Sequence, residues 1–272
     1  MPDMRIRRAA PADLPVLTRL WQAAFDDPPE LIERFYRRFP PEMAAWVVEA
    51  GGCVVTAAHL LEGRLHTADG NVFPCAYVYA VSTDPAHQGN GYASALMRRF
   101  AMDADASGCV LYTLPAEASL YKWYQAVMGT TQTARGERMR ITRQKTDGAL
   151  PSVTRISAPE YAVLRAQLLQ GRAYAEPSAA LLDFQADLCS MSGGALVRVG
   201  CGCAVAEREG DALIIKELLA ADAASAAQAL LAAFDAQAAQ VCLQRQDGAQ
   251  PMAAYRPFSR DTADIFWGLY LD

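Results

Sequence analysis

The stretch from Cys75 to Ala101 constrains the fold more than any other part of this chain. Cys75 to Val81 is an apolar run of strand-forming residues, and a connection from Ser82 to Asn90 follows it. Then Ala93, Leu96, Met97, Phe100 and Ala101 recur on one helical face, with Arg98, Arg99 and Asp103 opposite. A buried strand that feeds an amphipathic helix, with another apolar run at Cys109 to Leu114, calls for a sheet covered by helices. The class expected is α/β with a mixed sheet.

The flanking segments agree. Met4 to Arg8 reads as a strand; Asp13 is placed to cap a helix whose buried face is Leu17, Leu20, Trp21, Ala24 and Phe25. A second helix from about Glu30 would bury Leu31, Phe35 and Phe39. Ala45 to Ala50 and Cys53 to Leu61 are strands meeting at Gly51-Gly52, a hairpin signal. A polar loop precedes Cys75; Leu120 to Met128 is helical, and 130 to 142 is expected to form two strands.

Arg143 to Val153 has linker composition, and beyond it the order of elements restarts. Ser157-Ala158-Pro159-Glu160 is a capping box and Ser178 starts another helix. Ala195 to Val199, Cys201 to Ala206 and Leu213 to Leu219 read as strands around a Gly210-Asp211 turn, Ala223 to Ala238 as an alanine-rich helix, and Val241 to Leu243 and Ile265 to Leu271 as closing strands. At 272 residues, with half of them hydrophobic, two domains are expected: 1–145, and a smaller 150–272 that repeats the first without residue-level identity.

A formal charge of −5 argues against nucleic acid or an anionic membrane as partner. Cysteines 53, 75, 109, 189, 201, 203 and 242 form no CxxC pair and are expected to be reduced core thiols; Cys201-Gly202-Cys203 reads as strand packing rather than a metal half-site, so no metal is expected. Neither a signal-peptide core nor an apolar run of about 20 residues is present, and a cytoplasmic location is expected.

Chemistry concentrates in Gln88-Gly89-Asn90-Gly91-Tyr92-Ala93, at the start of the central helix. A helix N-terminus offers unpaired N–H groups and the positive end of the macrodipole to an anion such as a pyrophosphate. Gly89 and Gly91 remove the Cβ atoms that would obstruct its approach. An ordinary strand-to-helix turn with two glycines is the competing reading. A dinucleotide fingerprint is not, since Ser94 stands at its third glycine and Val81 lies too far from Gly89.

Tyr77 to Met97 resembles motif A of the GNAT N-acetyltransferase superfamily: a V-x-V-type strand, a proline, then [Q/R]-x-x-G-x-[G/A] opening a helix with a leucine. Val81, Pro85, Gln88, Gly91, Ala93 and Leu96 stand at the matching offsets, and the likeness extends by element order over about the first 145 residues. The resemblance implies an acetyl-CoA-dependent transferase. The backbone of Val81, Ser82 and Thr83 would pair with the pantetheine arm, and the N–H groups of Gly89, Asn90, Gly91, Tyr92 and Ala93 would hold the pyrophosphate, with Gln88 steadying the loop. A backbone N–H near Val81 or Ser82 would polarise the thioester carbonyl, and a primary amine of a small molecule or peptide would attack directly in a ternary complex.

The resemblance also implies a tyrosine general acid in a [F/W]-Y-x-x-x-G-[F/W] helix. Trp123-Tyr124 fits its start, although Gly129 comes one residue late and Thr130 replaces the aromatic. Tyr124 is the candidate acid and Tyr121 the runner-up; the alternative is that both only pack. Glu49, Asp84, Glu117 and the Asp272 carboxylate are conceivable bases, and none is singled out. His59, His66 and His87, on a strand, a loop and the approach to the motif, read as packing or surface residues. In the second half Leu213 to Leu219 runs through Ala220-Ala221-Asp222 straight into helix, with no pyrophosphate loop. Two other readings stand beside the enzyme: a non-catalytic acyl-CoA-binding regulatory module, and an interaction scaffold with a vestigial loop.

Overall fold

A computed structural model describes residues 4–115, 117–145, 148–244, 248, 250–256 and 265–268. The described residues divide into two compact units. One lies within Met1–Leu65, Phe73–Thr133 and Ala254–Arg260, the other within His66–Val72, Ala134–Ala253 and Asp261–Asp272. Division by compactness thus falls at Thr133, ahead of the linker composition around residue 145, and returns 254–256 to the first unit.

The first unit begins with β1 (Met4–Arg8), a 3-10 turn at Pro11–Asp13 and α1 (Leu14–Phe25). Asp13 does not cap α1. Its carboxylate accepts from Ala10 N–H at 2.7 Å and from Arg7 Nη1 at 2.6 Å, because a nearby guanidinium outcompetes the helix amides. Next come α2 (Pro29–Arg38), the short α3 (Pro41–Ala44), β2 (Ala45–Ala50) and β3 (Cys53–His66). The buried stripe of α2 is Ile32, Phe35 and Tyr36, with Phe39 just beyond; Leu31 is only half-buried. β3 continues through the segment expected as a loop and carries His66 as its last residue.

β4 (Val72–Thr83), a 3-10 turn at Pro85–His87, α4 (Tyr92–Ser107), β5 (Val110–Thr113) and α5 (Ala118–Met128) complete the crossover. In this unit the strand order is β1-β2-β3-β4-β5, with Ala254 and Tyr255 antiparallel to β5. β1, β2 and β3 are antiparallel neighbours, and β4 and β5 are parallel. Tyr92, Leu96, Met97 and Phe100 of α4 pack with Val48, Val55, Ala76, Val78, Leu111 and Tyr124. At roughly 2 kcal/mol for each large apolar side chain removed from water, this stripe seats α4 on the sheet.

The second unit takes up β6 (Gln132–Thr142) from Ala134 onward, a single strand where two were expected. β7 (Val153–Arg155), α6 (Ala158–Leu168), β8 (Tyr174–Pro177), α7 (Ala179–Ser192), β9 (Ala195–Val199), β10 (Gly202–Glu209), β11 (Ala212–Leu219), α8 (Ala223–Ala233), β12 (Ala238–Gln244) and β13 (Gln250–Tyr255) follow. Both capping serines act as expected: Ser157 accepts from Glu160 N–H while Glu160 accepts from Ser157 N–H, and Ser178 accepts from Leu181 N–H. α8 is shorter than its composition suggested. It stops at Ala233, Asp235 turns at φ 49°, and 238–244 is strand. Cys203 is a buried strand residue, but Cys201 sits exposed in the preceding turn, so the two do not share a strand face. Of the expected closing strand, the described residues show one bridge, between Phe266 and Tyr174; 269–271 lie outside them.

The strand order β6-β12-β11-β10-β9-β7 repeats the logic of the first unit, a parallel pair (β11, β12) joined through one helix (α8) with antiparallel strands beyond. Its core holds a fully buried ionic group. Arg165 Nε donates to Glu217 Oε1 at 2.8 Å, Tyr161 donates to the same oxygen at 2.6 Å, and Arg165 Nη1 reaches Ala175 O at 2.8 Å.

Candidate active site

The site starts from a divergence of strands. β4 and β5 are paired from Cys75↔Val110 to Val78↔Thr113, and the pairing stops there although β4 runs on to Thr83. Two residues past the last pair, Ala80 takes φ 46°, a left-handed value inside a strand. A non-glycine residue rarely adopts it without support from its surroundings. Beyond this kink Val81 is half-buried, Ser82 is buried, and Thr83 Oγ1 lies 3.0 Å from Thr56 Oγ1 on β3. Asp84 N–H donates to Val55 O at 2.9 Å, so β3 carries the end of β4 after β5 has left it.

The loop that follows is held by its own side chains. The Asp84 carboxylate accepts from Ala86 N–H at 2.9 Å; this bond, with His87 nearby, keeps the carboxyl below its usual range. Gln88 Nε2 donates to Thr83 O at 3.5 Å, and Asn90 Nδ2 donates to His87 O at 3.0 Å. Gly89 and Gly91 have φ 76° and 80°, and a Cβ at either position would meet nothing within 4 Å. Gly91 is the N-cap of α4 and offers no side chain to the first-turn amides; Asn90 is turned back on its own loop. The donors of Tyr92 and Ala93 therefore stand at an exposed loop next to open space, as an anionic diphosphate requires. Tyr92 itself turns its ring into the core, and Ala93 is half-buried.

α8 of the second unit begins differently. Asp222 accepts from Ser225 N–H at 3.0 Å, so a carboxylate occupies the end of the helix that α4 leaves clear.

Tyr124 lies on the inner face of α5, 6% exposed, packed with Val78 and Leu96. Burial raises its pKa and the neighbouring Thr113 hydroxyl offsets part of that rise, while Thr113 Oγ1 donates to Val78 O at 3.2 Å. Trp123 Nε1 donates to Ser94 Oγ at 3.2 Å, tying α5 to the first turn of α4. Gly129, displaced by one residue from the family spacing, is the left-handed cap that ends α5 at φ 70°. Tyr121, one turn earlier, is half-buried.

The conceivable bases are dispersed. Glu49 pairs with Arg7 at 2.7 Å on β2, Glu117 stands at the N-cap of α5, and Asp272 lies outside the described residues. His66, in the second unit, is hydrogen-bonded to Glu176 and stacked on Tyr174. His59 is 1% exposed and burial pushes its imidazole down to about 4. Sequence reasoning missed the aromatic nest around it, in which Trp21 and Phe35 face Tyr79 of β4 and Tyr36 packs on the imidazole. Tyr77-Val78-Tyr79 alternation hinted at an aromatic face, but nothing in the sequence marks Ala80 as left-handed. Among the described residues no group of three or more His, Cys, Asp or Glu is placed to hold a metal, and no helix is long and apolar enough to cross a membrane.

Solved acetyltransferases share this fold. A GCN5-related N-acetyltransferase from Kribbella flavida is 17% identical over 94% of this chain and 72% of its own, with a TM-score of 0.65. One from Anabaena variabilis is 15% identical over 94% and 71%, with a TM-score of 0.66. A tandem GNAT protein from the clavulanic acid biosynthesis pathway is 14% identical over 93% and 97%, with a TM-score of 0.54. No curated protein matches the sequence. The sequence of residues 5–126 matches the acetyltransferase (GNAT) domain, so this part of the chain is similar to that family.

Proposed function

We propose that the chain is an N-acetyltransferase that moves an acetyl group from acetyl-CoA to a primary amine in a ternary complex. The observation that carries this reading is the uncapped start of α4 beside two left-handed glycines with open space where their Cβ atoms would be. Gly89, Asn90, Gly91, Tyr92 and Ala93 hold the pyrophosphate through their amides, and Gln88 braces the loop against Thr83. The part of β4 left by β5, Val81, Ser82 and Thr83, takes the pantetheine arm as an added strand. Acetyl-CoA brings the activated acyl group, and an amide near Val81 or Ser82 orients its carbonyl for the attacking amine. Tyr124, at the point where β4 and β5 part, gives its proton to the departing thiolate, with Tyr121 as the alternative donor.

In the same reading residues 1–145 are the catalytic domain and 150–272 a second copy that has lost the cofactor loop. The Asp222 carboxylate at α8 supports that loss, since it would repel a diphosphate. One observation favours the non-catalytic acyl-CoA-binding module instead: Tyr124 is 6% exposed, and its burial raises its pKa and opposes formation of the phenolate that proton donation leaves behind. Thiol release on mixing the protein with acetyl-CoA and a panel of small-molecule and peptide amines separates the two. Amine-dependent release supports the transferase. Binding of acetyl-CoA with no release across the panel would establish the binding module.

A further inference from the structure

We propose that His59 is a positioning residue that pins the left-handed turn at Ala80 and so sets the direction of the Val81 and Ser82 amides. The inference rests on the reading of β4 as the strand that holds the acyl donor.

An alanine at φ 46° in mid-strand costs on the order of 1 kcal/mol or more and persists only where its surroundings fix it. On its N-terminal side the fixing contact is to Tyr79, whose carbonyl lies 3.3 Å from His59 Nδ1. A carbonyl can only accept, so Nδ1 carries the hydrogen. The other ring nitrogen, Nε2, is then an acceptor, and the Tyr36 hydroxyl at 3.0 Å supplies the donor. Both bonds agree on one tautomer of a neutral ring. Trp21 at 5.3 Å and Phe35 at 5.1 Å between ring centres wall the imidazole in, and the Tyr79 ring packs on the same two residues. On the C-terminal side, Asp84 N–H holds Val55 O on β3. The kink is thus clamped between two anchors, one of them a histidine that no proposed chemical step uses.

His59→Leu removes the donor at similar size. His59→Asn places an amide nitrogen where Nδ1 stands, and His59→Gln extends its amide toward Tyr36 instead. Crystal structures of the three variants read the backbone at Ala80, and calorimetry and steady-state kinetics read acetyl-CoA affinity, kcat and acceptor KM. Expected for His59→Leu and His59→Gln are loss of the positive φ at Ala80 and an acetyl-CoA affinity and kcat each lowered about five- to tenfold, with acceptor KM unchanged. His59→Asn retains the kink and most of both. Should the leucine variant not fold, the contrast between asparagine and glutamine decides. An unchanged Ala80 in the leucine or glutamine variant overturns the proposal, as does equal impairment of asparagine and glutamine. If the wild-type protein binds no acetyl-CoA, the proposed function falls, while the Ala80 backbone still tests the role of His59.

Discussion

Thr113 Oγ1 donates to the carbonyl oxygen of Val78 at 3.2 Å, across the last residue pair that β4 and β5 share. The bond closes the paired part of the parallel sheet where the strands separate, and Tyr124 packs with Val78 beside that same threonine. The structural end of the pairing and the proposed acid are therefore neighbours, and substitutions there separate packing from chemistry.

Tyr124→Phe keeps the ring in its core position and removes the hydroxyl. Turnover is expected to fall by roughly 100-fold or more, in the range of general acid–base contributions, with acetyl-CoA affinity nearly unchanged. Stability should change by no more than about 1 kcal/mol, since the ring keeps its packing and only one hydroxyl is lost. Steady-state kinetics beside calorimetry check this; undiminished kcat would shift the acid role to Tyr121 or solvent.

Gly91→Glu puts a charged side chain into the space beside the first turn of α4, at a φ of 80° that favours glycine. Acetyl-CoA binding should weaken by at least about 100-fold, because a carboxylate would face the diphosphate where backbone donors now stand. A variant that binds within about threefold of wild type removes the loop from the cofactor site.

Glu217→Ala leaves the buried Arg165 guanidinium without its carboxylate and Tyr161 without its acceptor. A loss of roughly 3–5 kcal/mol in chemical denaturation is expected. A loss below about 1 kcal/mol would show that water or rearrangement satisfies Arg165.

Much of this was legible in the sequence, and the exceptions share a cause. The crossover from β4 to α4 could be read because an apolar run, two glycines and a helical stripe are local signals. The capping boxes at Ser157 and the N-cap at Ser178 were readable for the same reason. Asp13 was misread because Arg7, a partner outside the helix, claims its carboxylate. The alanine-rich run after Ala233 has high helix propensity throughout, yet its second half pairs as β12, where tertiary contacts override propensity. The clamp of His59, Tyr36 and Tyr79 joins β3, α2 and β4, and no spacing in the chain announces it.

Acid should destabilise the fold through His59. Its imidazole is held down to about 4 by burial, whereas in the unfolded chain it titrates near the ordinary 6.5. Above that value both states are neutral and stability is unaffected. Between about 6.5 and 4 the unfolded chain binds a proton that the folded one refuses, so stability falls as pH falls, by roughly 3 kcal/mol across the window. The ring is enclosed by Trp21 from α1, Phe35 and Tyr36 from α2, and the Tyr79 carbonyl from β4; burial raises the Tyr36 pKa, well away from this range. Asp13 and Glu49, held low by Arg7, add their loss only below the usual carboxylate range. Urea midpoints at pH 7 and pH 5 should differ for wild type and converge in His59→Asn; equal slopes in both would exclude His59 as the source.

Calorimetric titration of the wild-type protein with acetyl-CoA, repeated with pantetheine lacking the nucleotide and diphosphate, tests the central claim most directly. The account predicts one saturable site for acetyl-CoA, weakened by at least about 100-fold in Gly91→Glu and for the truncated ligand. Absence of binding, or equal binding of ligands with and without the diphosphate, would contradict it.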